Sequence, residues 1–234
     1  MDFVAYTFTD AHGQTLPYRL AAPLHNDPSR RYPLLLFLHG AGEKGGDNLT
    51  QIDVIAPVVS DPAMRERFPC YVLVPQCPAN SAWVNAHYAG QRFIPMPSPT
   101  APMRQVIALL ATLRKQRNID PDRIYVGGNS MGGSGTWDII ARNPATFAAA
   151  FPMCGRGDTA SAGALAHLPI WVFHNSGDPL VGVQWSREMV AALRAHGGAP
   201  RFTEYPEKSH DCWTRALREP TFFPWLFAQK RMTH

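Results

Sequence analysis

The chain has 234 residues, 45% of them hydrophobic and 17% charged, enough apolar content for one α/β domain spanning 1–234 and no run suited to a membrane span. Its net charge of +4 comes from scattered cations, and without a nucleic-acid-binding motif it gives no reason to expect such a partner. The opening MDFVAYTFTD lacks a basic stretch leading into an apolar one, so no secretory signal is visible and a cytoplasmic location is expected.

Residues 3–9 (FVAYTFT) and about 16–22 (LPYRLAA) flank Asp10-Ala11-His12-Gly13 and predict an antiparallel hairpin. Pro17 marks the second strand as an edge or irregular one. The unbroken apolar run at 34–38 (LLLFL) predicts a strand buried on both faces, leading into the glycine-rich His39-Gly40-Ala41-Gly42-Glu43-Lys44-Gly45-Gly46. That loop lacks the Lys-Ser/Thr ending of a phosphate cradle, so its role is to expose backbone N–H groups. Short helices are predicted over 49–59 and 62–68, and a second buried strand over 71–75 (YVLVP). Cys70 and Cys77 bracket that strand, which holds them roughly 20 Å apart, beyond disulfide reach. Cys154 and Cys212 complete a set of four cysteines without zinc-like spacing.

Residues 76–99 read as the longest irregular stretch, rich in proline and aromatic residues, of the kind that shapes a binding site. A helix follows over about 100–117, with Met103, Val106, Ile107, Leu110 and Leu113 at helical spacing. Further strands are predicted at 147–153, 170–173 and 202–205, with a helix over about 183–195 and a closing helical region. Alternating buried strands and helices imply a mainly parallel central sheet flanked by helices.

The stretch 124–137, IYVGGNSMGGSGTW, reads as strand, sharp turn and helix. At the turn, Gly128-Asn129-Ser130-Met131-Gly132 has the G-x-S-x-G pattern that lifts a strained serine above a sheet. Glycines supply the room that a strained turn needs, and the helix behind points free N–H groups at the serine. A serine hydroxyl needs a base and a group to orient that base. Asp178 and His210 each follow an apolar strand by a short loop, where open α/β sheets present their site residues. Asp158, after the preceding strand, is the alternative acid. His174 and His39 read as braces of the acid loop and the glycine-rich loop.

The segments YPLLLFLHGAGEKGGDN, YVLVPQCP, GGNSMGGSGTWDIIARNP, FPMCGRGD, IWVFHNSGDPLV and YPEKSHDCWTRA together resemble the α/β-hydrolase carboxylesterases often labelled predicted peptidase or phospholipase/carboxylesterase, related to polyhydroxybutyrate-depolymerase-like and feruloyl-esterase-like enzymes. The resemblance covers nearly the whole chain. It implies the α/β-hydrolase fold, a catalytic triad of Ser130, Asp178 and His210, and an oxyanion hole from the N–H groups of Ala41 and Met131, with Gly42 as the alternative to Ala41. It implies a small-molecule ester as substrate and neither cofactor nor metal. A serine peptidase or thioesterase would use the same residues, and a catalytically silent scaffold used for binding is the reading from another class. Two positions depart from the pattern, Asn175 where glycine often follows histidine and Ser134 where an aromatic residue is frequent. Only 154–169 joins the strand after the elbow helix to the acid strand, too little for a large lid, so the 76–99 stretch is expected to shape the pocket with Trp83 as an apolar wall.

Overall fold

The computed structural model describes residues 2–89 and 92–231. Its first strands, β1 (Val4–Thr9) and β2 (Thr15–Ala21), form the predicted hairpin. They are followed by β3 (Tyr32–Leu38) and β4 (Tyr71–Pro75), and then by β5 (Ala86–Ala89) and β6 (Arg92–Pro95). The remaining strands are β7 (Ile119–Asn129), β8 (Ala149–Met153), β9 (Trp171–Asn175) and β10 (Arg201–Tyr205). Eight of them build one sheet in the order β1-β2-β4-β3-β7-β8-β9-β10, antiparallel at the β1–β2 and β2–β4 pairs and parallel from β4 onward.

The expectation that Pro17 puts the second strand on an edge is corrected. β2 is paired on both sides and β1 is the edge. Pro17 sits one residue beyond the β2–β4 register, which ends at Tyr18 opposite Pro75, and its carbonyl still accepts the Gln76 N–H at 2.8 Å. A missing donor is tolerated where the ladder has already ended.

Helices cover both faces of the sheet, which explains the unbroken apolarity of β3. Leu34, Leu36 and Leu38 face one core, shared with α3 (Ala101–Gln116), α4 (Met131–Arg142) and α6 (Gln184–Ala195). Leu35 and Phe37 face the other, shared with the short α1 (Ala56–Val59), with α7 (Trp213–Ala216) and with α8 (Phe222–Ala228). Period-2 alternation puts apolar side chains into both layers, so a strand sandwiched between helices has no polar face to spare. The helix predicted over 49–59 divides into a 3-10 turn (Thr50–Ile52) and α1, because Pro57 starts a new turn. Next comes α2 (Pro62–Arg67), capped by the Asp61 carboxylate on the Met64 N–H.

The stretch 76–99, read from sequence as irregular, contains the β5–β6 hairpin, with Tyr88 opposite Phe93. The 154–169 connection holds a 3-10 turn (Thr159–Ser161) and one short helix, α5 (Ala162–Leu165), in keeping with the absence of a large lid. Among the described residues no helix is long and apolar enough to cross a membrane. All four cysteines are free and buried.

Candidate active site

β7 delivers the serine. The strand ends at Asn129, Ser130 adopts φ 56° and ψ −113°, and α4 begins at Met131. A left-handed φ on a residue with a side chain costs about 1–3 kcal/mol and persists only where the surroundings enforce it. Here the enforcement is close packing. A Cβ on Gly128 would lie 2.2 Å from the Leu38 carbonyl oxygen, and one on Gly132 would lie 1.8 Å from the same atom. The Ser130 N–H is fixed on Met153 O at 2.9 Å. As the first residue of α4, Met131 carries an N–H that no intrahelical carbonyl takes, beside the serine and at the positive end of the helix.

The loops after β9 and β10 bring the other two residues to it. His210 Nε2 lies 2.8 Å from Ser130 Oγ, and His210 Nδ1 lies 2.6 Å from Asp178 Oδ2. The second carboxylate oxygen of Asp178 accepts the N–H groups of Leu180 and Val181 at 2.8 and 2.9 Å. Burial alone would raise this carboxyl, but the Val181, His210 and Leu180 hydrogen bonds outweigh it and hold Asp178 below the usual carboxylate range. The group therefore stays ionised against the imidazole. Asp158, the alternative acid, is elsewhere. It caps the 3-10 turn through the Ala160 N–H at 3.1 Å and faces Arg92 at 3.5 Å.

His174 is fully buried behind the acid, with Nδ1 at 2.7 Å from Ser186 Oγ and Nε2 at 2.8 Å from Val181 O and 3.3 Å from Asp178 Oδ2. Burial lowers its pKa and keeps it neutral, so it braces the acid loop as expected. Asn175, flagged as a departure from glycine, donates its amide hydrogens to Ser209 O and Asp211 O at 2.8 and 3.1 Å, the carbonyls on either side of His210. That clamp was not legible in the sequence, because its acceptors are backbone atoms of another loop.

The glycine-rich loop after β3 forms a 3-10 turn, Ala41–Glu43, that contains Ala41 and Gly42. His39 anchors its entry. Nε2 accepts the Cys77 N–H at 2.9 Å, so Nδ1 carries the proton and donates to Gly40 O at 2.6 Å. Burial pushes the His39 pKa down to about 4. Gln76 holds the rest of the loop, accepting from Asn48 N–H at 2.7 Å and donating to Asp47 Oδ1 at 2.6 Å.

Trp83, expected as a pocket wall, is corrected to a core residue. It is 0% exposed, its indole N–H donates to His39 O at 3.0 Å, and its Cβ lies 2.8 Å from where a Cβ on Gly135 would stand. It pins the glycine-rich loop to the elbow helix. The exposed aromatic surface is supplied instead by the β5–β6 hairpin. Tyr88 and Phe93 both meet Trp185 edge-on, with centroids 6.2 and 6.5 Å away. Arg156 joins this group to the elbow. Its backbone N–H donates to Ser134 Oγ at 2.9 Å, its guanidinium reaches Leu180 O at 3.3 Å, and it stacks 6.0 Å from the Trp185 ring centroid. Ser134, the second departure, is thus the acceptor that fastens the loop after β8 to α4.

The sequence profile of the dienelactone hydrolase family matches residues 81–218, which contain the serine, the acid and the histidine. The structure is similar to the crystal structure of a thermostable esterase, with 41% identity and a TM-score of 0.91 over 98% of this chain and 64% of that one. A ferulic acid esterase shares the fold, at 18% identity and a TM-score of 0.70 over 97% of each chain. In sequence, the chain is 26% identical to an uncharacterised secreted protein of Arthroderma benhamiae, over 80% of this chain and 22% of that protein. The chain therefore spans 64% of the esterase and about a fifth of the fungal protein.

Proposed function

The chain belongs to the dienelactone hydrolase family, and we propose that within it the protein is a serine hydrolase cleaving carboxylic esters of short-chain acids or aryl acids. The observation that carries this reading is the unbroken contact from Ser130 Oγ through His210 to Asp178, at 2.8 and 2.6 Å.

In the proposed reaction Ser130 Oγ attacks the ester carbonyl while its proton passes to His210 Nε2. The resulting oxyanion meets the N–H groups of Met131 and Ala41, with Gly42 next in the same turn, at the positive end of α4. Collapse expels the alcohol, which takes the proton from His210, and leaves an acyl group on Ser130. Water then gives a proton to His210 and attacks the acyl carbonyl, and the return of that proton to Ser130 Oγ releases the acid. Asp178 holds Nδ1–H throughout and stabilises the imidazolium. Every step uses groups of the chain itself. The short 154–169 connection and the aromatic hairpin support small or flat acyl groups over long flexible ones.

The test combines variants with a substrate panel. Ser130→Ala should lose fluorophosphonate labelling and about 10⁴-fold or more in kcat, and Asp178→Asn should lose about 10⁴-fold where Asp158→Asn loses little. Acetate and butyrate p-nitrophenyl esters and methyl ferulate should be cleaved faster than palmitate or a peptide, with no rate jump above the solubility limit. Full labelling of Ser130→Ala, or a preference for long-chain emulsions or peptides, would refute the proposal.

A further inference from the structure

Cys154 has no part in the proposed hydrolysis, yet it closes a triangle with two groups that do. Its Sγ, a carboxylate oxygen of Asp178 and a ring nitrogen of His210 all lie within 4.8 Å of one another. The residue is fully buried at φ 41°, and its N–H is tied to Phe173 O at 2.9 Å, so the sulfur stands on a fixed backbone. The buried thiol of Cys212 donates to the same Phe173 O at 3.6 Å. Sulfur, imidazole nitrogen and a single carboxylate make a donor set that borderline and soft divalent cations select, while hard cations that need six or more oxygens find one side chain of the right kind.

We propose that Cys154, Asp178 and His210 form an inhibitory site for a thiophilic divalent cation of the Zn²⁺ or Cd²⁺ type. Around a tetrahedral ion with bonds of about 2.0–2.3 Å, donor atoms stand about 3.3–3.8 Å apart. The 2.6 Å contact between His210 Nδ1 and Asp178 Oδ2 must open by about 1 Å, and the two separations from the sulfur, each within 4.8 Å, must settle at the same spacing. His210 is the adaptable member, because its imidazole can turn about its side-chain bonds while Asn175 keeps the backbone on either side in place, and its partly exposed side chain gives the ion an entry. Binding releases the Cys154 thiol proton to solvent as the sulfur–metal bond forms. The proton on His210 Nδ1 transfers through solvent to Nε2 as Nδ1 takes the ion. Nε2 then has no lone pair for the Ser130 proton, and the base is lost. Inhibition rests on the function proposed above, whereas binding does not.

Titration of the Ser130→Ala protein with Cd²⁺, followed by calorimetry and by thiolate-to-cadmium absorbance, tests the site without hydrolysis. One ion per chain with a thiolate band is expected, together with a rise in melting temperature. Cys154→Ser and Cys154→Ala, each introduced into the Ser130→Ala background, should both lose the band and weaken binding by about tenfold or more. In the wild type Zn²⁺ should lower ester hydrolysis reversibly on addition of EDTA, and its apparent inhibition constant should rise about tenfold or more in Cys154→Ser, measured against that variant's own metal-free rate. Unchanged binding in both Cys154 variants, or a band lost only on substitution of Cys70, Cys77 or Cys212, overturns the site. A metal-free wild type that cleaves no ester yet shows the Cys154-dependent band would refute the esterase reading and uphold the site.

Discussion

Asn175 gives one amide hydrogen to the carbonyl before His210 and the other to the carbonyl after it, so the imidazole is aimed by a residue that never touches it. Losing two such bonds costs about 1–3 kcal/mol of local order, and each 1.4 kcal/mol in the transition state is about tenfold in rate. Asn175→Ala should therefore lower kcat by about tenfold to a hundredfold with KM nearly unchanged, and equal loss of both parameters' ratio through KM alone would place Asn175 in substrate binding instead. His39 yields a prediction on stability. Its pKa in the folded chain is about 4 against an ordinary 6.5, so between those values the unfolded chain binds a proton that the folded chain refuses. Stability must then fall as pH drops from about 6.5 towards about 4, by about 3 kcal/mol for this group. Urea unfolding at pH 7.5 and pH 5 should show a shallower loss in His39→Gln than in the wild type. His174, also held down by burial, adds slope of the same sign, and identical slopes would mean that His39 takes up its proton within the fold.

Elements decide what the residues mean. Trp83 and Tyr88 both lie in the 76–99 stretch, yet one is fully buried beneath the glycine-rich loop and the other is 56% exposed on the hairpin. Trp83→Ala should cost about 3–5 kcal/mol of stability through the cavity it leaves, visible as a lowered melting temperature. Tyr88→Ala should cost little stability and shift the acyl chain-length profile. A Trp83 variant of normal stability with an altered profile would reverse these assignments. The sequence could not separate the two, because Trp83 owes its burial to His39 and Gly135, which are distant along the chain. The hairpin was hidden for a related reason. AHYAGQRFIP lacks a clean apolar alternation, and its strands are held from outside, through Trp185 and through Arg142, which donates to Met96 O and Pro97 O at 2.7 Å. What was legible was local or ordered. The elbow is a five-residue pattern with its own steric logic, and Asp178 and His210 follow from the rule that strands of an open sheet present residues at their carboxyl ends. Clamps such as Asn175 and Gln76 act on backbone atoms of other loops, which leave no side-chain signature.

At the scale of the whole molecule, the three residues of the site ride on three strands, β7, β9 and β10, and they are not equally secure. β7 lies inside the sheet with neighbours on both sides, while β10 is the terminal strand, paired with β9 alone. His210 follows it, 80 positions after Ser130. Edge elements open at lower free energy than central ones, and contacts between distant positions are slow to form because loop closure must come first. Loss of activity should consequently precede loss of the fold. In rising urea, hydrolysis should decline while far-ultraviolet circular dichroism is still native, and amide exchange over residues 201–212 should be faster than over 124–129. On refolding, helical signal should return before turnover does. Coincident curves for activity and dichroism would show that β10 leaves only with the rest of the sheet. Otherwise the serine hydroxyl outlasts the histidine proposed as its base, and the first damage done by mild denaturation is a native-looking protein whose proposed nucleophile is intact and unreactive.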